Sequence, residues 1–292
     1  HADALRRGFW RTEGGPPVVT YDASVDGIGS GCNGVIDVLL ERVPIGDIDP
    51  LAVLGRCMRE QRRATVVTRF RGGFARAELV DRHLGGHLPE MPEIEAAARA
   101  ATATCVAEHA GERYLIEVLV PPPRLFVVGA GIDAVPVVEQ ARAVGWEVIV
   151  CAPYARPELR SRFPRADRLA IAQPAEIAEL IDASDRAAAV IMNHAYEHDR
   201  LGLGAPLASS ARYLGLLGPR KRTARMLDEL GLGATTDARV HAPVGLEIGA
   251  ECAEEIALAI VAEVQASLAR APAHSLRSRI GAIHDPIAHD PA

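Results

Sequence analysis

Apolar positions along the chain fall into two rhythms, and the change from one to the other divides it. In the first part the apolar blocks are short and mixed. VVTY, residues 18–21, predicts a short strand. VIDVLLERV, residues 35–43, sets Val35, Val38, Leu39 and Arg42 at helical spacing and predicts a helix. A second helix is expected over 50–61, a strand over Ala64–Phe70, a helix over EIEAAARAATAT (93–104) and a strand over RYLIEVLV, ending at Val120. Pro121-Pro122-Pro123 follows, and three prolines can continue neither a ladder nor a helix. The domain boundary is placed there, giving an N-terminal domain over 1–120.

Beyond the prolines, strand and helix alternate. RLFVVGAG is a buried strand with a glycine turn, IDAVPVVEQARAVG a helix and WEVIVCAP a second strand. Strand patterns recur at Arg168–Ile171, Ala187–Met192 and Arg212–Leu216, and the last long helix is expected over Ala250–Leu268. Short joins between alternating strands and helices mean a parallel sheet covered on both faces. The predicted class is therefore α/β. A smaller N-terminal α/β domain precedes a C-terminal Rossmann-like, doubly wound parallel sheet over 124–270, and a poorly ordered tail runs over 271–292.

Composition narrows the partners. At 292 residues the chain suits two domains. A formal charge of -6 gives no global field for nucleic acid or anionic lipid. No apolar run approaches the roughly 20 residues of a membrane span. The five cysteines, at 32, 57, 105, 151 and 252, are too few and scattered for a disulfide framework or a paired metal clip, which suits a reducing cytoplasm. The chain opens at His1 without Met and without an apolar signal core, and reads as lacking a first segment.

The sharpest motif is Gly129-Ala130-Gly131-Ile132-Asp133-Ala134, which follows an apolar strand and opens a helix. In that setting Gly129 permits the turn, Gly131 lets a phosphate approach the backbone and Ala134 lets helix and strand pack closely. Free N–H groups and the helix dipole favour a diphosphate. The alternative is a tight turn without a ligand. The second strand ends in Cys151-Ala152-Pro153, with no acid to hold a ribose 2′-hydroxyl, and Arg156 and Arg160 follow. That exchange favours the 2′-phosphate of NADP or another phosphorylated ligand.

Other candidates cluster at strand ends. Asn193-His194 closes a strand at the carboxyl edge of the sheet, where such sheets bind ligands. His194 and His198 have a spacing that would let them share a metal on a helix, although surface hydrogen bonding is the commoner use of such a pair. Gly218-Pro219-Arg220-Lys221-Arg222 starts a further helix with three cations, read as a second phosphate contact or as a solvated basic face. Gly245 lies in a close-approach loop before the last helix. In the first domain Cys32, between Gly31 and Asn33, sits on a glycine turn before the expected helix, whose N–H groups would lower its pKa and expose a thiolate. A buried apolar cysteine is the competing reading. Cys57, Cys105 and Cys151 look structural.

Five stretches then occur in a telling order: GIGSGCNGVIDVLLE (27–41), VVGAGIDAVPVV (127–138), NHAYEHD (193–199), YLGLLGPRKR (213–222) and PVGLEIGAECAEEIALAIVAE (243–263). Together they resemble the xanthine dehydrogenase accessory factor family, which also includes a carbon monoxide dehydrogenase maturation protein. The resemblance implies a cytosolic homodimer that binds molybdenum cofactor (molybdopterin). It would protect the cofactor during sulfuration, with a cysteine desulfurase as a further partner, and pass it to a molybdenum hydroxylase of the xanthine dehydrogenase type. Carried over by motif, Cys32 would stand near the metal or its sulfur, also as a molybdenum ligand, with Gly129 and Gly131 facing a phosphate and His194 lining the same cleft. The sequence departs from the family where Ala152-Pro153-Tyr154 replaces Asp-Pro-Arg, and where Cys252-Ala253-Glu254-Glu255 replaces Thr-Pro-Glu-Glu. Five isolated cysteines cannot hold the iron–sulfur clusters of a complete molybdenum hydroxylase. A cofactor-maturation chaperone is thus expected, against an NADP-dependent oxidoreductase with His194 as proton donor, or a nucleotide-binding regulator.

Overall fold

The computed structural model describes residues 18–22, 35–39, 50–71, 78–84, 88, 90–173, 176–181, 186–231 and 237–280. The chain divides between Pro121 and Pro122 into two compact units.

In the first unit β1 (Val18–Asp22) pairs antiparallel with β2 (Val35–Leu39), Val18 opposite Leu39 and Asp22 opposite Val35. The expected helix over 35–43 is therefore corrected to a strand. Val35, Ile36 and Val38 are β-branched and lose rotamer freedom in a helix, and a partner strand is at hand to pair all five residues. The helix N-terminus that was to activate Cys32 goes with it. Gly31, Cys32 and Asn33 fall between these strands, outside the described residues.

Helix α1 (Pro50–Glu60) leads into β3 (Ala64–Arg71) and β4 (Glu78–Leu84). Helix α2 (Pro92–Ala100) precedes β5 (Cys105–His109) and β6 (Glu112–Leu119). These four strands form an antiparallel sheet in the order β4-β3-β6-β5. Ile94 and Ala98 of α2 pack on Val67, Tyr114 and Ile116 of the sheet. The helix expected to reach residue 104 stops at Ala100, and the next stretch becomes β5.

The second unit alternates as expected. Its elements are β7 (Arg124–Val128), α3 (Ala134–Ala143), β8 (Glu147–Ala152), α4 (Leu159–Arg162), β9 (Arg168–Ile171), α5 (Ile177–Leu180), β10 (Ala187–Ile191), α6 (Tyr196–Leu207), β11 (Tyr213–Leu216), α7 (Arg220–Glu229), β12 (Val240–His241) and α8 (Ala253–Ala269). All six strands are parallel, in the order β12-β11-β10-β7-β8-β9. This is the doubly wound order in which the chain reverses direction between β7 and β10.

Both faces of the sheet are buried, so its strands read as continuous apolar runs. Leu125 and Val127 of β7 face a core shared with Val137 and Val138 of α3 and Ile260 and Val264 of α8. Phe126 and Val128 face the opposite core, closed by Ile177, Leu203 and Met226 of α5, α6 and α7. Within the expected tail, Leu276–Ser278 form one 3₁₀ turn capped by the Ser275 hydroxyl, which accepts from the Arg277 N–H at 3.3 Å. Among the described residues no helix is long and apolar enough to cross a membrane.

Candidate functional site

The reversal of strand order between β7 and β10 opens a crevice at their carboxyl ends, and the glycine turn after β7 forms one wall. Gly129 has φ 131°, and a Cβ there would lie 2.5 Å from the Met192 carbonyl oxygen at the end of β10. Only glycine allows the two strand ends to approach this closely. The turn is fixed from below by the Gly129 N–H, which donates to the Cys151 carbonyl at 3.0 Å. From the side, Arg162 Nη1 donates to the Ala130 carbonyl at 2.8 Å. Ala134, wholly buried, provides the small contact between helix and sheet.

The opposite wall is the segment after β10. His194 takes a left-handed conformation, φ 61°, and its Nε2 lies 2.7 Å from Asp133 Oδ2 on the glycine turn. A Cβ on Gly131 would lie 2.4 Å from Asp133 Oδ1 and 3.7 Å from the His194 ring. The space over Gly131 is thus filled by the chain's own carboxylate and imidazole. Asp199, only 1% exposed, holds this wall in place. It accepts from the Asn193 N–H at 2.8 Å and from Arg222 Nη2 at 2.6 Å. Burial raises its carboxyl pKa, although the Asn193 N–H and Arg222 both pull the other way.

Between the glycine turn and the end of β8 lies a cavity of about 270 Å³. Gly131 and Asn193 line it, with Tyr154 and Arg156 from beyond β8, Arg162 from α4 and His198 from α6. Two arginines are among its lining residues and no Asp or Glu is. Arg156 has no ion-pair partner among the described residues. A cation-lined cavity beside a helix N-terminus suits an anionic ligand.

Of the residues expected at the site, Gly131, Arg156 and Asn193 line the cavity, Gly129 shapes its wall, and Asp133 and His194 pair beside it. Arg160 is exposed and does not line it, whereas Arg162 does. Residues two apart on a helix point about 200° away from each other, which sequence proximity alone hides. Of the three cations at the start of α7, Arg222 pairs with the buried Asp199. Arg220 and Gly218 stand at the start of α7, away from the cavity lining. Gly245, φ 104°, donates its N–H to Glu263 Oε2 at 2.8 Å.

The helical spacing that would let His194 and His198 share a metal does not arise, and His194 hydrogen-bonds to Asp133 instead. His194 precedes α6 in a left-handed turn, so the two rings do not share a helical face. Among the described residues no group of three metal-ligating side chains occurs. Burial pushes the Cys151 thiol up to about 12 and keeps it protonated, as befits a packing residue. Cys252 is exposed at the start of α8, where Glu255 reaches back to accept from its N–H at 3.2 Å.

Comparison with known proteins agrees with this fold. Residues 125–264 match the family described as the XdhC Rossmann domain. Over 238 residues the chain is 31% identical to a Bacillus subtilis protein named as a probable xanthine dehydrogenase subunit, covering 82% of this chain and 71% of that one. A 147-residue stretch is 31% identical to the uncharacterized Escherichia coli protein YqeB, covering 49% of this chain and 27% of that one. The crystal structure of a Bacillus halodurans protein, described as a xanthine dehydrogenase, superposes with a TM-score of 0.68 at 28% identity, covering 89% of this chain and 77% of that one.

Proposed function

We propose, from the premise that the chain belongs to the XdhC family of xanthine dehydrogenase-associated proteins, that it is an accessory factor which binds molybdenum cofactor, promotes its sulfuration and delivers it to a molybdenum hydroxylase. The observation that carries this reading is the cavity beside the glycine turn, lined by Arg156 and Arg162 and by no carboxylate. Molybdopterin ends in a phosphate, and two guanidiniums in a concave site match it in charge and in their capacity for paired hydrogen bonds. When bound, the cofactor supplies a dithiolene-held metal that accepts sulfur.

The chain's own residues do the holding. Arg162 keeps the Ala130 carbonyl fixed while lining the cavity, and Asp199 fixes the strand end that carries Asn193. Cys32 is proposed as the thiol that stands near the metal or carries its sulfur, with a cysteine desulfurase as sulfur source. The protein would act as a homodimer in a reducing cytoplasm. NADP, the other ligand suggested by Arg156 and the missing acid after β8, would have to lay its diphosphate across the Asp133–His194 pair.

Delivery of cofactor tests the function. The wild-type protein, loaded anaerobically with molybdopterin and molybdate, is expected to activate a cofactor-free xanthine dehydrogenase. Cys32→Ala is expected to keep its fold and to deliver cofactor at least about tenfold less well in the sulfurated form. Equal activation with and without the wild-type protein would remove the accessory role. Equal delivery by Cys32→Ala would remove the role of the thiol alone.

A further inference from the structure

Asp133 follows β7 and His194 follows β10, and these strands are neighbours at the centre of the sheet. A dinucleotide on a sheet of this kind lies across the crevice between those two loops, with its diphosphate over the glycine turn. Here the crevice is spanned by a bond of 2.7 Å between His194 Nε2 and Asp133 Oδ2. The second carboxylate oxygen, Oδ1, lies where a Cβ on Gly131 would run into it. The Ala134 and Val135 N–H groups at the start of α3 turn back to the Gly131 and Ile132 carbonyls at 3.3 and 3.2 Å. His194 holds its place in a left-handed conformation that is uncommon outside glycine.

On the β8 side the cavity stays open. Its volume of about 270 Å³ lies just below the usual range for small-molecule pockets. Tyr154, 57% exposed, offers a ring face at the rim beside Arg156. That space suits one planar ring with one phosphate, and two joined nucleotides would have to cross the Asp133–His194 pair.

We infer that Asp133 and His194 form a latch across the crevice, which restricts the site to a planar-ring ligand with a single phosphate monoester and turns dinucleotides away. The inference rests on the reading of the cavity as a phosphate-ligand site. A diphosphate brought to the glycine turn would meet the Asp133 carboxylate, and like charges in contact repel strongly. A monoester held on the far side by Arg156 and Arg162 meets cations only. Asp133 is thus a specificity-determining residue, and His194 positions it.

A ring with a phosphate monoester is the shared chemistry of a nucleoside monophosphate and a pterin phosphate, so both are probes. Equilibrium binding to the full chain is measured for AMP, molybdopterin, NADH and NADPH. The variants are Asp133→Ala, Asp133→Asn and Arg162→Gln, each checked for fold by circular dichroism. The wild type is expected to bind AMP or molybdopterin, whichever is the true source, more tightly than either dinucleotide. Removing the charge in Asp133→Ala and Asp133→Asn is expected to raise dinucleotide affinity about tenfold or more, the effect of relieving one close like-charge contact. Arg162→Gln is expected to weaken the monoester ligand by about tenfold. Wild-type protein that binds NADH or NADPH as tightly as the monoester overturns the latch. So does unchanged dinucleotide affinity in both Asp133 variants, and in either case loss of binding in Arg162→Gln leaves the phosphate site standing. If no phosphate ligand binds any of the proteins, the cavity reading itself falls and the latch with it.

Discussion

On Glu263 of α8 converge the Tyr213 hydroxyl, the Gly245 N–H at 2.8 Å and His241 Nδ1 at 3.3 Å. His241 also stacks on Tyr213 with ring centroids 4.4 Å apart. Burial pushes the Glu263 carboxyl up, but His241, Tyr213 and the Gly245 N–H outweigh it and hold the pKa below its ordinary value. A carboxyl lowered by folding lends stability above its unfolded pKa and loses it as pH falls through the folded one. Glu263→Gln is therefore expected to destabilise the protein at neutral pH, with a deficit that shrinks below the ordinary carboxylate range. Urea denaturation of both proteins across that range checks the sign, and a deficit that grows on acidification would contradict it. None of this convergence is visible in the sequence, because Glu263 lies 50 residues from Tyr213. The Asp133–His194 pair, 61 residues apart, and Arg162 with Ala130, 32 apart, were hidden for the same reason. Gly129, Gly131, Arg156 and Asn193 were legible because each stands at or just beyond a strand end, where a Rossmann sheet binds its ligands.

The central strands of the second unit, β7, β8, β10 and β11, were legible because they are mostly buried and largely apolar. The first unit gave weaker signals. In β2 the five residues Val35–Leu39 fit a helical period as well as a strand, and only pairing with β1 decides. Strand β4 carries Asp81, Arg82 and His83, so its apolar pattern is masked. Two of these find partners on β3, where Arg69 binds Asp81 and Arg82 Nε donates to Thr68 Oγ1 at 3.0 Å. Between elements, the turn after β7 presses closely on the end of β10. Gly129→Ala would set a methyl group 2.5 Å from the Met192 carbonyl oxygen in a backbone conformation that alanine resists. It is expected to cost at least about 2 kcal/mol in chemical denaturation and to weaken ligand binding at the turn. A loss under about 0.5 kcal/mol would mean that the strand ends separate freely.

Taken whole, the molecule joins a cysteine-bearing N-terminal unit to a Rossmann unit whose cavity beside the glycine turn is lined by two arginines and whose family is tied to xanthine dehydrogenase. Length, the Pro121–Pro123 run and the strand–helix alternation made the two-part α/β design readable in advance, while the small antiparallel sheet of the first unit emerges only from long-range pairing. In the proposed function the cavity beside the glycine turn holds the phosphate of molybdenum cofactor. The most direct test is molybdopterin binding by wild-type protein and by the double variant Arg156→Gln/Arg162→Gln, with thermal midpoints measured in parallel. Stoichiometric binding is expected of the wild type and at least about a hundredfold weaker binding of the folded double variant, the combined effect of two charge-assisted contacts. Equal binding by both proteins, or no binding by the wild type, would contradict this reading.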